Sequence, residues 1–262
     1  MTTPLNPSIV DFLRKNPKYG QVKYFVICDG KSGSSTLAQS FKHSLHAHSS
    51  PYLWKADKAC FRTLKVSLRQ MQDWSSEIYG KKPWVICAVR EPIGRTISSF
   101  FQNLPNHVPP KDQQNEDAIL AVLKRRFVNL ENYHTFDGNV KEDHFDGIDL
   151  FTQEFNPEQG YAVYETDRLR IMVLKFEHIK SWATLIPSLL PEDERHEFHW
   201  ATDNLSSDKP SYNLQKSITE KFRLPPHTLD QKFKLQENFL DHFYTKAELV
   251  ALREKWTMPK KL

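Results

Sequence analysis

The chain has 262 residues, 39% hydrophobic and 12% aromatic, and 36 Lys and Arg against 32 Asp and Glu leave a net charge of +4. These values exclude a disordered or low-complexity chain, and a mild positive excess suits an anionic small molecule without demanding nucleic acid. Three Cys are too few for a complete disulfide framework and no apolar run reaches the length of a membrane span, so the expectation is a soluble, cytoplasmic α/β protein.

Residues 1–262 read as a single domain, with an α/β core over 22–180, an insertion near 104–161 and a mainly helical part over 181–262. The opening stretch, MTTPLNPSIVDFLRKNPKYG, has no apolar signal core. Lys23 to Asp29 is continuous, aromatic and β-branched, as suits a strand buried on both faces of a parallel sheet. Then comes GKSGSST, residues Gly30 to Thr36, opening a predicted helix. The two glycines permit a tight turn and close approach of a ligand, and Ser32, Ser34, Ser35 and Thr36 bring hydroxyl groups. Lys31 adds a full positive charge. Strand, Gly-rich turn and helix in that order predict a phosphate cradle. A Ser-rich loop that merely caps a helix is the plainer alternative. The loop is not a nucleotide-kinase Walker loop, which would need glycine at the position of Phe25.

SLHAHSS, Ser44 to Ser50, supplies His46 and His48 on a predicted second strand. Cys60 to Trp74 has helical spacing, in keeping with a parallel crossover. Trp84 to Val89 is a second apolar strand, and Pro92 suits the first position of the following helix, with Glu91 favouring its N-terminus. Arg90 is out of place beside such a terminus unless an anion lies between them; the alternative is pairing with Glu91 or another carboxylate. Arg95 and Ser98 share one face of that helix.

Leu104 to Asp112, rich in proline, reads as a loop, and Asn115 to Asn132 as a helix with its apolar stripe at Ile119, Val122, Leu123, Phe127 and Leu130. His134 to Tyr161 is aromatic, acidic and aperiodic: a small hairpin on the sheet edge, or an acceptor-facing lid. Ile171 to Ile179 is strand-like. Helical patterns cover Leu214 to Phe222, Thr228 to Tyr244 and Lys246 to Trp256, the first two parted by Pro225 and Pro226. Scattered His and Cys show no zinc spacing, so no metal is expected.

Lys31-Ser32-Gly33-Ser34, with Arg90 closing a later strand and Ser98 eight positions on, resembles the PAPS-dependent sulfotransferases. Those enzymes use 3′-phosphoadenosine 5′-phosphosulfate as sulfuryl donor. From Val22 to Trp256 the chain is most similar to a bacterial, sulfotransferase-like capsular polysaccharide synthesis family, through HFDGIDLFTQEFNPEQGY (His144 to Tyr161), IMVLKFEHI (Ile171 to Ile179) and DNLSSDKPSYN (Asp203 to Asn213). Pro210 replaces an aromatic residue of the last signature, and Glu91 an Asp or Asn. The resemblance implies a P-loop-type, three-layer αβα fold with a mostly parallel sheet. It also implies that the Gly30 to Thr36 loop holds the phosphosulfate end, that Arg90 and Ser98 hold the ribose phosphate, and that Asn204 and Lys209 contribute to donor binding.

Sulfuryl transfer needs a cation at the leaving phosphate and a base for the acceptor proton. Lys31 suits the first role; His48 is the leading candidate for the second, with His46 and Glu177 as rivals. The expected acceptor is a carbohydrate. A P-loop kinase or nucleotide hydrolase, and an inactive binding protein on the same fold, are the alternative readings.

Overall fold

A computed structural model of the chain describes residues 7–47, 67–128, 142–201 and 211–258. In chain order its elements are helices α1 (Pro7–Lys15) and α2 (Pro17–Gly20), strand β1 (Tyr24–Val26), α3 (Ser34–Ser40), β2 (Ser44–His46), α4 (Leu68–Tyr79) and β3 (Trp84–Val89). Then follow α5 (Pro92–Gln102), α6 (Leu104–His107), α7 (Glu116–Val128), β4 (Tyr161–Glu165), β5 (Arg170–Lys175) and α8 (Trp182–Leu189). The last helices are α9 (Tyr212–Lys221), α10 (Pro226–Leu235), α11 (Glu237–Phe243) and α12 (Lys246–Trp256). Internal packing divides the chain into two units, one formed by Met1–Val89 with Asn139–Asp203, the other by Arg90–Gly138 with Asn204–Leu262. Among the described residues no helix is long and apolar enough to cross a membrane.

The first unit is built on a five-stranded sheet in the order β2-β1-β3-β5-β4. All pairs are parallel except β4 with β5. Every residue of β1 and β3 is buried, because these continuous apolar runs are the central strands, covered on both faces. One face buries Val26, Ile86, Ala88 and Leu174 against Leu37 of α3 and Trp182 and Ile186 of α8. α4 begins at Ser67, whose hydroxyl accepts from Gln70 N at 3.2 Å while Gln70 Oε1 accepts from Ser67 N at 2.9 Å, and it stops at a left-handed Gly80. Residues 60–66 of the predicted Cys60 to Trp74 helix lie outside the described residues.

The antiparallel edge strand was not foreseen. The predicted hairpin ended at Tyr161, whereas Tyr161 begins β4 and the turn lies at Thr166–Leu169, where Thr166 Oγ1 accepts from the amides of Arg168 (3.0 Å) and Leu169 (2.8 Å). β5 ends at Lys175, earlier than predicted, and Phe176–Ser181 coils into a 3₁₀ turn.

In the second unit α5 starts at Pro92 as predicted, and α7 at Glu116 behind Asn115, whose side chain accepts from Asp117 and Ala118 amides at 3.1 and 3.2 Å. The predicted loop from Leu104 to Asp112 is instead α6 and a 3₁₀ turn at Pro110–Asp112; both carry proline in their first turn, where a missing N–H is harmless. α9 packs on α5 and α7, with Phe127 and Phe222 rings 5.1 Å apart. The single helix predicted over Thr228 to Tyr244 is two, α10 and α11, interrupted at Gln236 (φ −119°, ψ 19°), whose side chain is buried.

Candidate functional site

The chain passes from β1 to β2 on one side of β1 and then to β3 on the other, so the loops leaving the C-terminal ends of β1 and β3 diverge. Open α/β sheets bind ligands at such a switch point. The loop leaving β1 is Gly30–Gly33. Its base is tied to β3: Ile27 N donates to Ile86 O at 2.9 Å, and Cys28 Sγ accepts from Ala88 N at 3.1 Å. Contact with the Cys28 thiol, together with full burial, pushes the Cys87 thiol well above its ordinary value, and both cysteines are small, buried core residues.

Two residues of this loop have left-handed backbones, Lys31 with φ 72° and Gly33 with φ 87°. A side chain at Gly33 would be strained by that φ and would also meet the Trp182 ring at 3.0 Å and Phe176 at 3.3 Å. Trp182 is fully buried and stands edge-on to Phe176, with ring centroids 6.3 Å apart, so an aromatic wall supports the turn from behind. Nothing local in the sequence marks these two residues as loop supports; they reach it only through the fold.

The hydroxyls divide by position. Ser32 is buried and donates to Asp29 O at 2.5 Å, which closes the turn on itself, so its contribution to a cradle is its backbone rather than the hydroxyl donor expected. Ser34 is also buried, Ser35 is exposed and Thr36 is half-buried. Gly30 is exposed and Lys31 half-buried. Gly33 caps α3 with no side-chain hydrogen bond.

The second strand–turn–helix segment differs in that respect. Glu91 is buried and accepts from the amides of Ile93 at 2.9 Å and Gly94 at 2.6 Å, so the anion on this helix start is the protein's own. A Cβ at Gly94 would crowd Glu91 Oε1, so the carboxylate would have to move from its capping position to admit one. This arrangement answers the dipole argument for an external anion at Arg90. The assignment of Arg90 and Ser98 to a donor phosphate then rests on the resemblance. Arg90 follows β3 directly and is half-buried; Ser98 is buried on α5.

Of the candidate bases, His46 is half-buried on the last residue of β2, in register with Val26 of β1. Glu177 is exposed in the 3₁₀ turn beyond β5. His48, Asn204 and Lys209 lie outside the described residues. Neither a family model, nor a curated protein, nor a solved structure matches the chain.

Proposed function

We propose that the chain is a sulfotransferase that moves a sulfuryl group from 3′-phosphoadenosine 5′-phosphosulfate to a hydroxyl, or an amine, of a carbohydrate, as in the cytoplasmic assembly of a capsular or other surface polysaccharide. One observation carries the reading: the Gly30–Gly33 turn at the sheet's switch point bears Lys31 and is left-handed at two positions. Successive amides in such a turn form a concavity that favours anions. On this reading the sheet belongs to a P-loop-type, three-layer fold.

The residues then take the following roles. The loop amides hold the phosphate that departs, and the Lys31 ammonium balances the negative charge arising on its bridging oxygen. The acceptor oxygen forms its bond to sulfur as the sulfur–phosphate oxygen bond breaks, and its proton passes to a base, His48, with His46 and Glu177 as the other candidates. Arg90 and Ser98 bind the donor's ribose phosphate, and Asn204 and Lys209 contribute to donor binding.

Thermal unfolding with adenosine 3′,5′-bisphosphate, the desulfated donor, tests this. Ligand at about a hundredfold over its Kd stabilises the fold by about 2.7 kcal/mol, whereas Mg-ATP gives no shift. Stabilisation by Mg-ATP alone, or by neither, defeats the proposal.

A further inference from the structure

The opposite edge of the same sheet, where the strands begin, contains a cavity of about 270 Å³. Its floor is Tyr24 and Trp84, the first residues of β1 and β3, with Arg170, the first of β5. Strand β3 is 6 residues long, so roughly 20 Å separates this cavity from the Gly30–Gly33 loop. A water takes about 30 Å³, so the space admits a small ion with several waters.

The hydrogen-bonding inventory of the lining is lopsided. Glu194 is buried and both its oxygens are taken: Oε1 by Arg170 Nη2 at 2.8 Å and Oε2 by the Trp84 indole N–H at 2.8 Å. Glu197 is buried and pairs through Oε1 with Lys23, its other oxygen enclosed near the Tyr24 hydroxyl. The donors are less committed. Arg170 uses Nε and Nη2 on Lys82 O, at 3.0 and 2.8 Å, and on Glu194, while its Nη1 donates to no described group. Each lysine has three N–H groups. Lys23 gives one to Glu197, Lys81 reaches Asp193 and lies 3.9 Å from Glu194, and Lys82 bonds Glu165 at 2.6 Å and Thr166 O at 2.7 Å.

Two of these cations are held in place by aromatic faces, Arg170 over Trp84 at 4.5 Å and Lys23 over Tyr79 at 4.4 Å. The other two are tied to exposed carboxylates, since Asp193 and Glu165 are 63% and 60% accessible. Such surface pairs are weak and readily exchanged. The four cationic side chains of the lining, Lys23, Lys81, Lys82 and Arg170, outnumber its three carboxylates, Asp193, Glu194 and Glu197, so an entering cation would add to a positive excess. An anion needs only to replace rim carboxylates and accept N–H groups already present.

We propose that this cavity is a second binding site, for a small tetrahedral oxyanion: sulfate or phosphate, free or as the head group of a small ester. It is independent of what the Gly30–Gly33 loop binds.

Calorimetry on the full chain carrying Lys31→Ala, which disables the loop, tests it with inorganic phosphate, inorganic sulfate and glycerol phosphate at constant ionic strength in chloride. At least one probe gives saturable heat at a single site, weakened about tenfold or more by adding Lys81→Gln and Lys82→Gln, as expected for two lost charge-assisted contacts. The same titration moves the Trp84 indole N–H resonance, a readout that requires no loss of fold. Preference for the free ions or for the ester identifies the source. No saturable heat with any probe, or heat unchanged by the two lysine substitutions, overturns the proposal.

Discussion

Lys31 sits at φ 72°, a conformation that costs a residue with a side chain about 1 kcal/mol or more. Backbone strain of this kind clusters at functional sites, and here the strained position carries the turn's one full positive charge. Lys31→Gly is therefore expected to stabilise the protein by about 0.5–1 kcal/mol, the relieved strain less the extra freedom of the unfolded chain. On the proposed function it also abolishes sulfuryl transfer. Urea unfolding beside a turnover assay checks both, and a destabilised Lys31→Gly chain would mean that the lysine is structural. The residue identities of this turn were legible in the sequence because glycine, lysine and serine act through local backbone chemistry. What they hid was direction: Ser32 faces Asp29 O rather than a ligand, and the Trp182 wall comes from a distant segment.

At the scale of elements, two strand–turn–helix segments look alike in sequence and differ in how the helix start is satisfied. Glu91 accepts from two amides of α5 while buried, so Glu91→Ala is expected to cost about 1–2 kcal/mol by chemical unfolding. Equal stability would show that water replaces the cap fully. His107, at the end of α6, gives a pH-dependent counterpart. Burial, and then the neighbouring Arg126 guanidinium, hold its imidazole below the ordinary 6.5, with Arg126 Nη1 at 3.1 Å from Nε2. A histidine whose folded value is lowered supports the fold above its unfolded value, and this support is lost as pH falls through the lowered one. Taking the protein from about pH 7.5 to about pH 5 should therefore destabilise it, and His107→Gln should shrink that loss. An identical loss in the variant would assign it to other groups. The long strands and the capped helices were legible because their patterns are continuous. β4 was not, since an exposed antiparallel edge needs only partial burial, and neither was the break at Gln236, which carries no proline or glycine signal.

Over the whole molecule, α/β class and parallel order follow from apolar runs separated by helical crossovers, and these the sequence displays. The division into units is different in kind. Each draws on two separate stretches of chain, and the contacts that bind them, such as Phe127 with Phe222 in one and Trp84 with Glu194 in the other, join residues that share no pattern. The net charge of +4 lies in the second unit, with 17 Lys and Arg against 13 Asp and Glu, while the first is neutral at 19 against 19, which leaves local geometry rather than overall charge to select ligands at the Gly30–Gly33 turn. Because the enclosed Trp182 ring stands where a side chain at Gly33 would point, the protein carries its own optical gauge. Any occupant that shifts the turn alters the surroundings of that indole, so ligand addition should change intrinsic fluorescence, and Trp182→Phe should silence the change while the other Trp residues still emit. If the signal survives that replacement, the turn stays rigid when filled.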